Sequence, residues 1–336
     1  MVAGDVETVA EAEIGARLAG ARVLEIQRVG GGRNSRVSRI TTPKGVFALK
    51  QYPPSADDPR DRLATETRAL GWMAEQGVDV VPRVIALDRA ANCALLSWVD
   101  GVLVAEVGAN DVDQAVAFLG AVERLRRNVD FPSPQLASEA CLSGSEIERQ
   151  IRARMSRLNA LDGEPALKAF LGREFSRRFE QLLSDAKAQL SSAGLSFATE
   201  LPVDRRALVP SDFGFHNALR DSRGSLTFID FEYFGWDDPV KLVADSLLHP
   251  GTPMTQAMRS RLRSAMLDIY TNDPGFPVRF AAFFPLFGLR WVLILLNEFH
   301  PDRWQRRVLA GDTEGWQQAK ERQLHAARAM LAELVA

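Results

Sequence analysis

Cysteine is scarce: Cys93 and Cys141 are the two in a chain of 336 residues. Two thiols build no disulfide framework, and with no C-x-x-C pair a zinc or thioredoxin-like motif is excluded. Neither is needed, because a chain this long buries about three quarters of its unfolded surface. A surplus of one charge is missing too. Lys and Arg number 41 against 43 Asp and Glu, a formal net charge of −2, which argues against nucleic acid as a partner. The four histidines lack metal-ligand spacing. There is no G-x-G-x-x-G for a dinucleotide fold, no G-x-x-x-x-G-K-[ST] and no G-x-S-x-G. The start, MVAGDVETVAEAEIGARL, lacks the basic-then-apolar order of a signal peptide. One long apolar run exists, Phe280 to Leu296, but its 17 residues contain Pro285 and Arg290. An arginine at mid-bilayer costs about 2.5–3.5 kcal/mol, so a buried core helix with no membrane contact is expected, and a cytoplasmic protein.

Hydrophobic spacing divides the rest. Residues 6–19 read as an amphipathic helix, and strands are expected at 22–28, 36–42 and 46–52. The last two are joined by the turn Pro43-Lys44-Gly45. A helix over 60–76 stops at Gly77, and strands follow at 80–87 and 93–99, closing at Asp100-Gly101. Beyond that point helices dominate: 112–127, 145–161, 166–192, one starting near Val240 and two or three after Pro253. Short β-like pieces at 207–219 and 225–231 interrupt them. The expected architecture is α+β, with a β-rich N-terminal lobe (1–101) and a mostly helical C-terminal lobe (102–336). No internal repeat is visible.

Several residues carry chemistry. Alternation in VFALK puts Ala48 and Lys50 on one strand face, where an ammonium can touch a phosphate and the small alanine leaves room for a flat base. Glu66, on the next helix, is placed to pair with Lys50. The loop Gly30-Gly31-Gly32-Arg33-Asn34-Ser35 lets backbone N–H groups approach anionic oxygens, with Gly31, Gly32, Asn34 and Ser35 as its candidate contacts. Later, Asp212 and Asn217 stand five residues apart in SDFGFHN, and Asp230 ends the apolar run of LTFIDFE. Two metal-capable side chains plus a separate carboxylate are what phosphoryl transfer needs. His216 lies beside them but is assigned no catalytic role. Asp238-Pro239 reads as a helix cap.

This ordered set resembles the aminoglycoside phosphotransferase and choline kinase group, small-molecule kinases with a protein-kinase-like fold, over about residues 24–297. The resemblance implies that Lys50 contacts the α/β-phosphates of ATP or GTP, with Glu66 as its ion-pair partner. It implies Asp212 as catalytic base, Asn217 and Asp230 as Mg2+ ligands, and a hinge LSWVDG in which the Ser97 carbonyl and Val99 amide meet the base. The implied activity is transfer of a γ-phosphoryl group to a hydroxyl of a small acceptor such as an amino sugar, sugar or amino alcohol. Glu232, Asp237, Asp245 and Arg290 are candidates for the acceptor pocket. Two departures stand out. Pro210 occupies the place, two residues before Asp212, where the family usually has His, and Leu242 stands where family members often have Asp. With Pro210 and a glycine-rich loop that matches the family poorly, a nucleotide-binding regulatory protein of the same fold that no longer catalyses is a second reading. A protein kinase is a weaker third, since no Ala-Pro-Glu follows Asp230.

Overall fold

The computed structural model describes residues 3–29, 35–53, 60–251, 254–309 and 314–334. The chain forms two compact units, one of residues 1–138, 210–235 and 251–258, the other of 139–209, 236–250 and 259–336. Residues 102–138, beyond the boundary expected at Gly101, thus group with the N-terminal sheet.

The first unit begins with helix α1 (Ala3–Ala19) and strands β1 (Glu25–Val29), β2 (Arg36–Thr42) and β3 (Gly45–Gln51). Helix α2 (Arg62–Glu75) and strands β4 (Val84–Asp88) and β5 (Cys93–Ser97) follow. The strands form one antiparallel sheet in the order β1-β2-β3-β5-β4. Strand alternation decides which side each residue serves. Leu49 joins Ile40, Cys93 and Leu95 in a core against Ile14 and Leu18 of α1. Lys50, one residue later, is thereby turned to the other face. Helix α1 is pinned as well as packed, because buried Glu11 accepts a hydrogen bond from the Ser38 hydroxyl (2.8 Å) on β2. Asp61 caps α2 by accepting from the Ala64 N–H at 2.8 Å.

The unit continues through strand β6 (Val102–Leu103) and helix α3 (Ala109–Asn128). It is completed by strands Ala218–Arg220 and Leu226–Phe228, which form a small sheet with β6. The single β-like piece expected over 207–219 is two short strands, Ala207–Val209 and Ala218–Arg220, split by a loop and a 3-10 turn at Phe215–Asn217.

The second unit is helical: α4 (Gly144–Asn159), α5 (Pro165–Ala169), α6 (Ser176–Ser192), α7 (Pro239–Leu248), α8 (Gln256–Ile269, from Arg259 on), α9 (Phe276–Leu295), α10 (Pro301–Leu309) and α11 (Trp316–Glu333). Among the described residues four α-helices, not two or three, follow Pro253. The expected continuous helix 166–192 is broken by a π-helical turn at Phe170–Phe175. Residues five apart diverge on an α-helix, and the wider turn lets Phe170 and Phe175 both face inward, 6.3 Å between ring centroids. The apolar run is long and apolar enough to cross a membrane, with a window of 18 residues inside 276–299 at mean hydropathy 1.8, but 72% of that window is buried within the protein. Helix α9 is the core helix of this unit, packed by α4, α6, α7 and α11.

Arg290, in the middle of α9, is the polar exception that this core must satisfy. Its guanidinium meets Glu139 at 2.6 Å and Asp245 at 3.4 Å. Asp245 also pairs with Lys241 (3.2 Å) and accepts from the Trp291 indole (2.8 Å). Lys241 reaches Asp237 at 3.4 Å, and Asp237 accepts from the Cys141 N–H at 2.7 Å. Complete burial, only partly offset by Lys241, pushes the Asp237 carboxyl up to about 6. The charges depend on one another, with Arg154 as a second partner of Glu139, and removing Arg290 leaves Asp245 and Glu139 each short of a cation. Arg290→Met is expected to lower unfolding free energy by about 3–5 kcal/mol, read from denaturant melts.

Candidate active site

The site is assembled in the first unit from three pieces of chain. Strand β3 supplies Lys50, whose ammonium lies 2.6 Å from Glu66 on α2 and 2.6 Å from Asp230. Glu232 is third, at 3.5 Å. Glu66 is itself held from both sides, accepting from the Tyr52 hydroxyl (2.9 Å) and from the Phe231 N–H (3.2 Å). Arg62, one turn before Glu66 on α2, pairs with Glu232 at 3.3 Å and donates to the Pro53 carbonyl. Burial works against the Lys50 charge, but Asp230, Glu66 and Glu232 outweigh it and hold the ammonium above its usual pKa. Burial and the Asp230 charge raise Glu232 as well, which for an acid favours the neutral form.

Asp212 and Asp230 are each set by unusual backbone. Ser211 has φ +69° and Asp230 φ +70°, a left-handed conformation that residues other than glycine adopt at a cost of about 1–3 kcal/mol. Between them the chain alternates: Phe213 and Phe215 are buried, while Asp212, His216 and Asn217 are half-exposed. Phe213 stacks on Phe118 of α3 (5.8 Å) and lies 5.2 Å from Phe228, so the loop is anchored from beneath. The Asn217 side chain donates to the Asp212 carbonyl (2.9 Å), and the Asn217 carbonyl accepts from the Ile229 N–H (2.9 Å). These two bonds tie the Asp212 loop to the segment that carries Asp230. Gly235 closes the region: a Cβ there would fall 2.5 Å from the Ala137 nitrogen, which no side chain permits.

The donor set suits a hard divalent cation. Glu66, Asp230 and Glu232 bring three carboxylates within 4.8 Å of one another, against two cations, Lys50 and Arg62. Their side chains are unequal in access, at 2% exposed for Glu66, 1% for Glu232 and 31% for Asp230. The accessible carboxylate is thus the one beside the Asn217 segment. An all-oxygen set of carboxylate and carboxamide is what Mg2+ takes.

The other expected positions fall as follows. Ala48 is half-buried on β3, opposite Leu96, and Ser35 is buried just before β2. Gly31, Gly32 and Asn34 lie outside the described residues. Ser97 ends β5, where its N–H donates to the Arg83 carbonyl (2.8 Å) and its hydroxyl accepts from the Arg83 N–H (2.9 Å). Val99 is half-buried in the segment that follows. Glu232 is a counter-ion of Lys50 and Arg62, while Asp237, Asp245 and Arg290 belong to the buried network of the second unit. Asp238 caps α7, accepting from the Val240 N–H at 2.9 Å, as its Asp-Pro pair predicts. Tyr52, Arg62 and the ring stack were not picked out from sequence. Tyr52 was within reach, two residues past Lys50 where strand alternation repeats a face. So was Arg62, four residues before Glu66.

The sequence pattern of the phosphotransferase enzyme family matches residues 25–273. The chain belongs to that family. Solved structures with the same fold include a choline/ethanolamine kinase family protein from Mesorhizobium loti, 17% identical, with 98% of each chain covered and a TM-score of 0.58. A choline kinase from Streptococcus pneumoniae is 15% identical, covering 98% of this chain and 99% of the other, TM-score 0.58. A spectinomycin phosphotransferase solved with ADP and spectinomycin is 14% identical, covering 93% and 94%, TM-score 0.58. At these identities the likeness speaks for the fold: an α+β phosphotransferase with an N-terminal antiparallel sheet and a helical C-terminal part. No curated protein matches the chain.

Lys50 is the cation on which this carboxylate cluster depends. Lys50→Met removes a charge that offsets the burial of Glu232, so that carboxyl, already raised in the fold, holds its proton still more tightly folded than unfolded. The sign follows: such groups stabilise the fold below their unfolded pKa and lose that stability as pH rises. The variant is expected to melt below the wild type at pH 7 and to recover part of the difference by pH 5, measured by thermal melts across that range.

Proposed function

We propose that this phosphotransferase is a cytoplasmic, Mg2+-dependent kinase that moves the γ-phosphoryl group of ATP or GTP to a hydroxyl of a small molecule. The observation that carries the reading is the Lys50–Glu66–Asp230 cluster, tied by Asn217 to an accessible Asp212. Asp212 orients the acceptor hydroxyl and receives its proton as the new O–P bond forms. The bond from the γ-phosphorus to the bridging oxygen breaks, and its electron pair leaves with the nucleoside diphosphate. Lys50, kept charged by its three carboxylates, holds the phosphates. Glu66 and Tyr52 keep the ammonium from swinging away. Asn217 and Asp230 are the residues that would hold Mg2+, which supplies charge neutralisation on the phosphate oxygens. Ser97 and Val99 are assigned to the base through their backbone, with Ser35, Ala48 and the glycine loop around it.

The acceptor belongs to the hydroxylated small molecules. Glu232 is withdrawn from its pocket in this reading, because both of its oxygens face Lys50 and Arg62. Asp237, Asp245 and Arg290 act in the same reading as core charges.

Two measurements test the proposal. A nucleotide-consumption screen over amino sugars, sugars and amino alcohols, run beside Asp212→Asn, should find an acceptor whose turnover falls by about 10³-fold or more in the variant while nucleotide binding survives. Unchanged turnover in Asp212→Asn removes the assignment. Nucleotide binding with no transfer to any acceptor favours the regulatory reading. Separately, Asp230→Asn should abolish the extra thermal stabilisation that Mg2+ adds to ADP binding; retention of that increment would assign the metal elsewhere.

A further inference from the structure

The histidine left without a role by its sequence position is brought onto the proposed base. The 3-10 turn Phe215–Asn217 begins right after Gly214, with the Asn217 N–H donating to the Gly214 carbonyl at 3.0 Å. This turn folds residue 216 back over residue 212, and His216 Nε2 lies 3.1 Å from Asp212 Oδ1. The carboxylate is an acceptor at both oxygens, so Nε2 carries the proton and donates it. His216 is the less exposed partner, with 20% of its side chain accessible against 43% for Asp212. It is therefore a fixed donor beside a carboxylate that still opens outward.

We propose that His216 is a positioning residue for phosphoryl transfer: its Nε2–H holds one oxygen of Asp212 and so aims the other at the acceptor hydroxyl. This rests on the assignment of Asp212 as base. The carboxylate of an Asp on a loop turns freely about its last side-chain bond unless something fixes it. Here the backbone is fixed on one side by Asn217, which donates to the Asp212 carbonyl (2.9 Å), and on the other by the left-handed Ser211. The imidazole fixes the remaining degree of freedom. A hydrogen bond of this kind weakens the carboxylate as a base. Phosphoryl transfer tolerates that, since its transition state is loose and catalysis comes from alignment rather than from base strength. Pro210 accentuates the need, because its carbonyl takes the Asp212 N–H in a tight turn (3.0 Å) and leaves the side chain to be steadied from the C-terminal side.

The test uses a pair of nearly isosteric substitutions on the full-length enzyme, His216→Gln and His216→Met. Glutamine offers an N–H donor at a similar reach and methionine offers none. The readouts are kcat and KM for ATP in Mg2+-dependent hydrolysis, with water as the acceptor, and kcat for transfer once the screen supplies an acceptor. His216→Met should lower kcat by about 10–100-fold with KM for ATP and melting temperature near wild type, and His216→Gln should recover most of that loss. In an Asp212→Asn background, His216→Met should cause no further loss. Equal kcat values for the two variants, whether both normal or both impaired, overturn the proposal and leave the histidine a packing role. If Asp212→Asn itself keeps wild-type turnover, the base assignment fails first, and that result is distinguishable because it does not involve His216.

Discussion

One buried ammonium organises the first unit. Lys50 sits among Glu66, Asp230 and Glu232, with Glu66 and Asp230 both at 2.6 Å. In an interior, an unpaired lysine would lose its proton, and three unpaired carboxylates would gain theirs. Together the three carboxylates keep the lysine charged against its burial. The cluster is more than a stability device, since its members come from β3, from α2 and from the segment after Phe228. Those pieces are brought into register by charge, and so is the backbone that follows: the Phe231 N–H on Glu66 places the chain immediately after Asp230. Replacing the set by apolar residues of equal volume could yield as stable a protein. It would not yield one in which an accessible carboxylate stands beside a charged lysine.

The sheet and the ring stack supply the rigidity that this arrangement requires. Helix α1 covers one face of the sheet through Ile14 and Leu18 and so commits the other face, with Lys50, to the site. Beneath the Asp212 loop, Phe118 lies 4.8 Å from Phe228 and 5.8 Å from Phe213, with Phe231 6.0 Å away. These rings alternate in sequence with the polar residues of the site: Phe213 follows Asp212, and Phe231 follows Asp230. Each polar side chain is therefore aimed by a neighbour that is buried. The two left-handed residues, Ser211 and Asp230, are the strained points of this scaffold, and it is the packed rings that hold them there.

How much of this was legible in the sequence follows from what kind of signal each feature leaves. The strands 36–42 and 46–52 were placed almost to the residue, because a Pro-Lys-Gly turn fixes their register. Alternation separated Leu49 from Lys50 correctly. The order of Lys50, Glu66, Asp212, Asn217 and Asp230 was visible as a pattern, and the structure gathers them in one unit. What failed had no local signature. The π-turn at 170–175 depends on which phenylalanines must face the core, and periodicity alone reads through it. The polar residues after Asp230, Glu232, Asp237 and Asp245 among them, read in sequence as candidates for one acceptor pocket. Their fates diverge because Glu232 finds Lys50 and Arg62, whereas Asp237 and Asp245 find Lys241, partners 170 or more residues apart in the first case and one helical turn apart in the second.

The same comparison explains why His216 is invisible in sequence and plain in space. Spacing of four residues from an aspartate suggests a contact only if the intervening chain is helical, and SDFGFHN has no helical pattern. Gly214 sits in extended backbone (φ 174°), which breaks any continuous helix, and the turn begins only after it. Two short irregularities in succession produce what a helix would have produced by repetition. Residues that act on a base through such turns are set by the loop's shape and not by its composition. The place to seek them in this fold is therefore the segment between Pro210 and Asn217, where two side chains hold Asp212, Asn217 donating to its carbonyl and His216 to its carboxylate, while Ser211 beside it donates to the Ser138 carbonyl (3.2 Å).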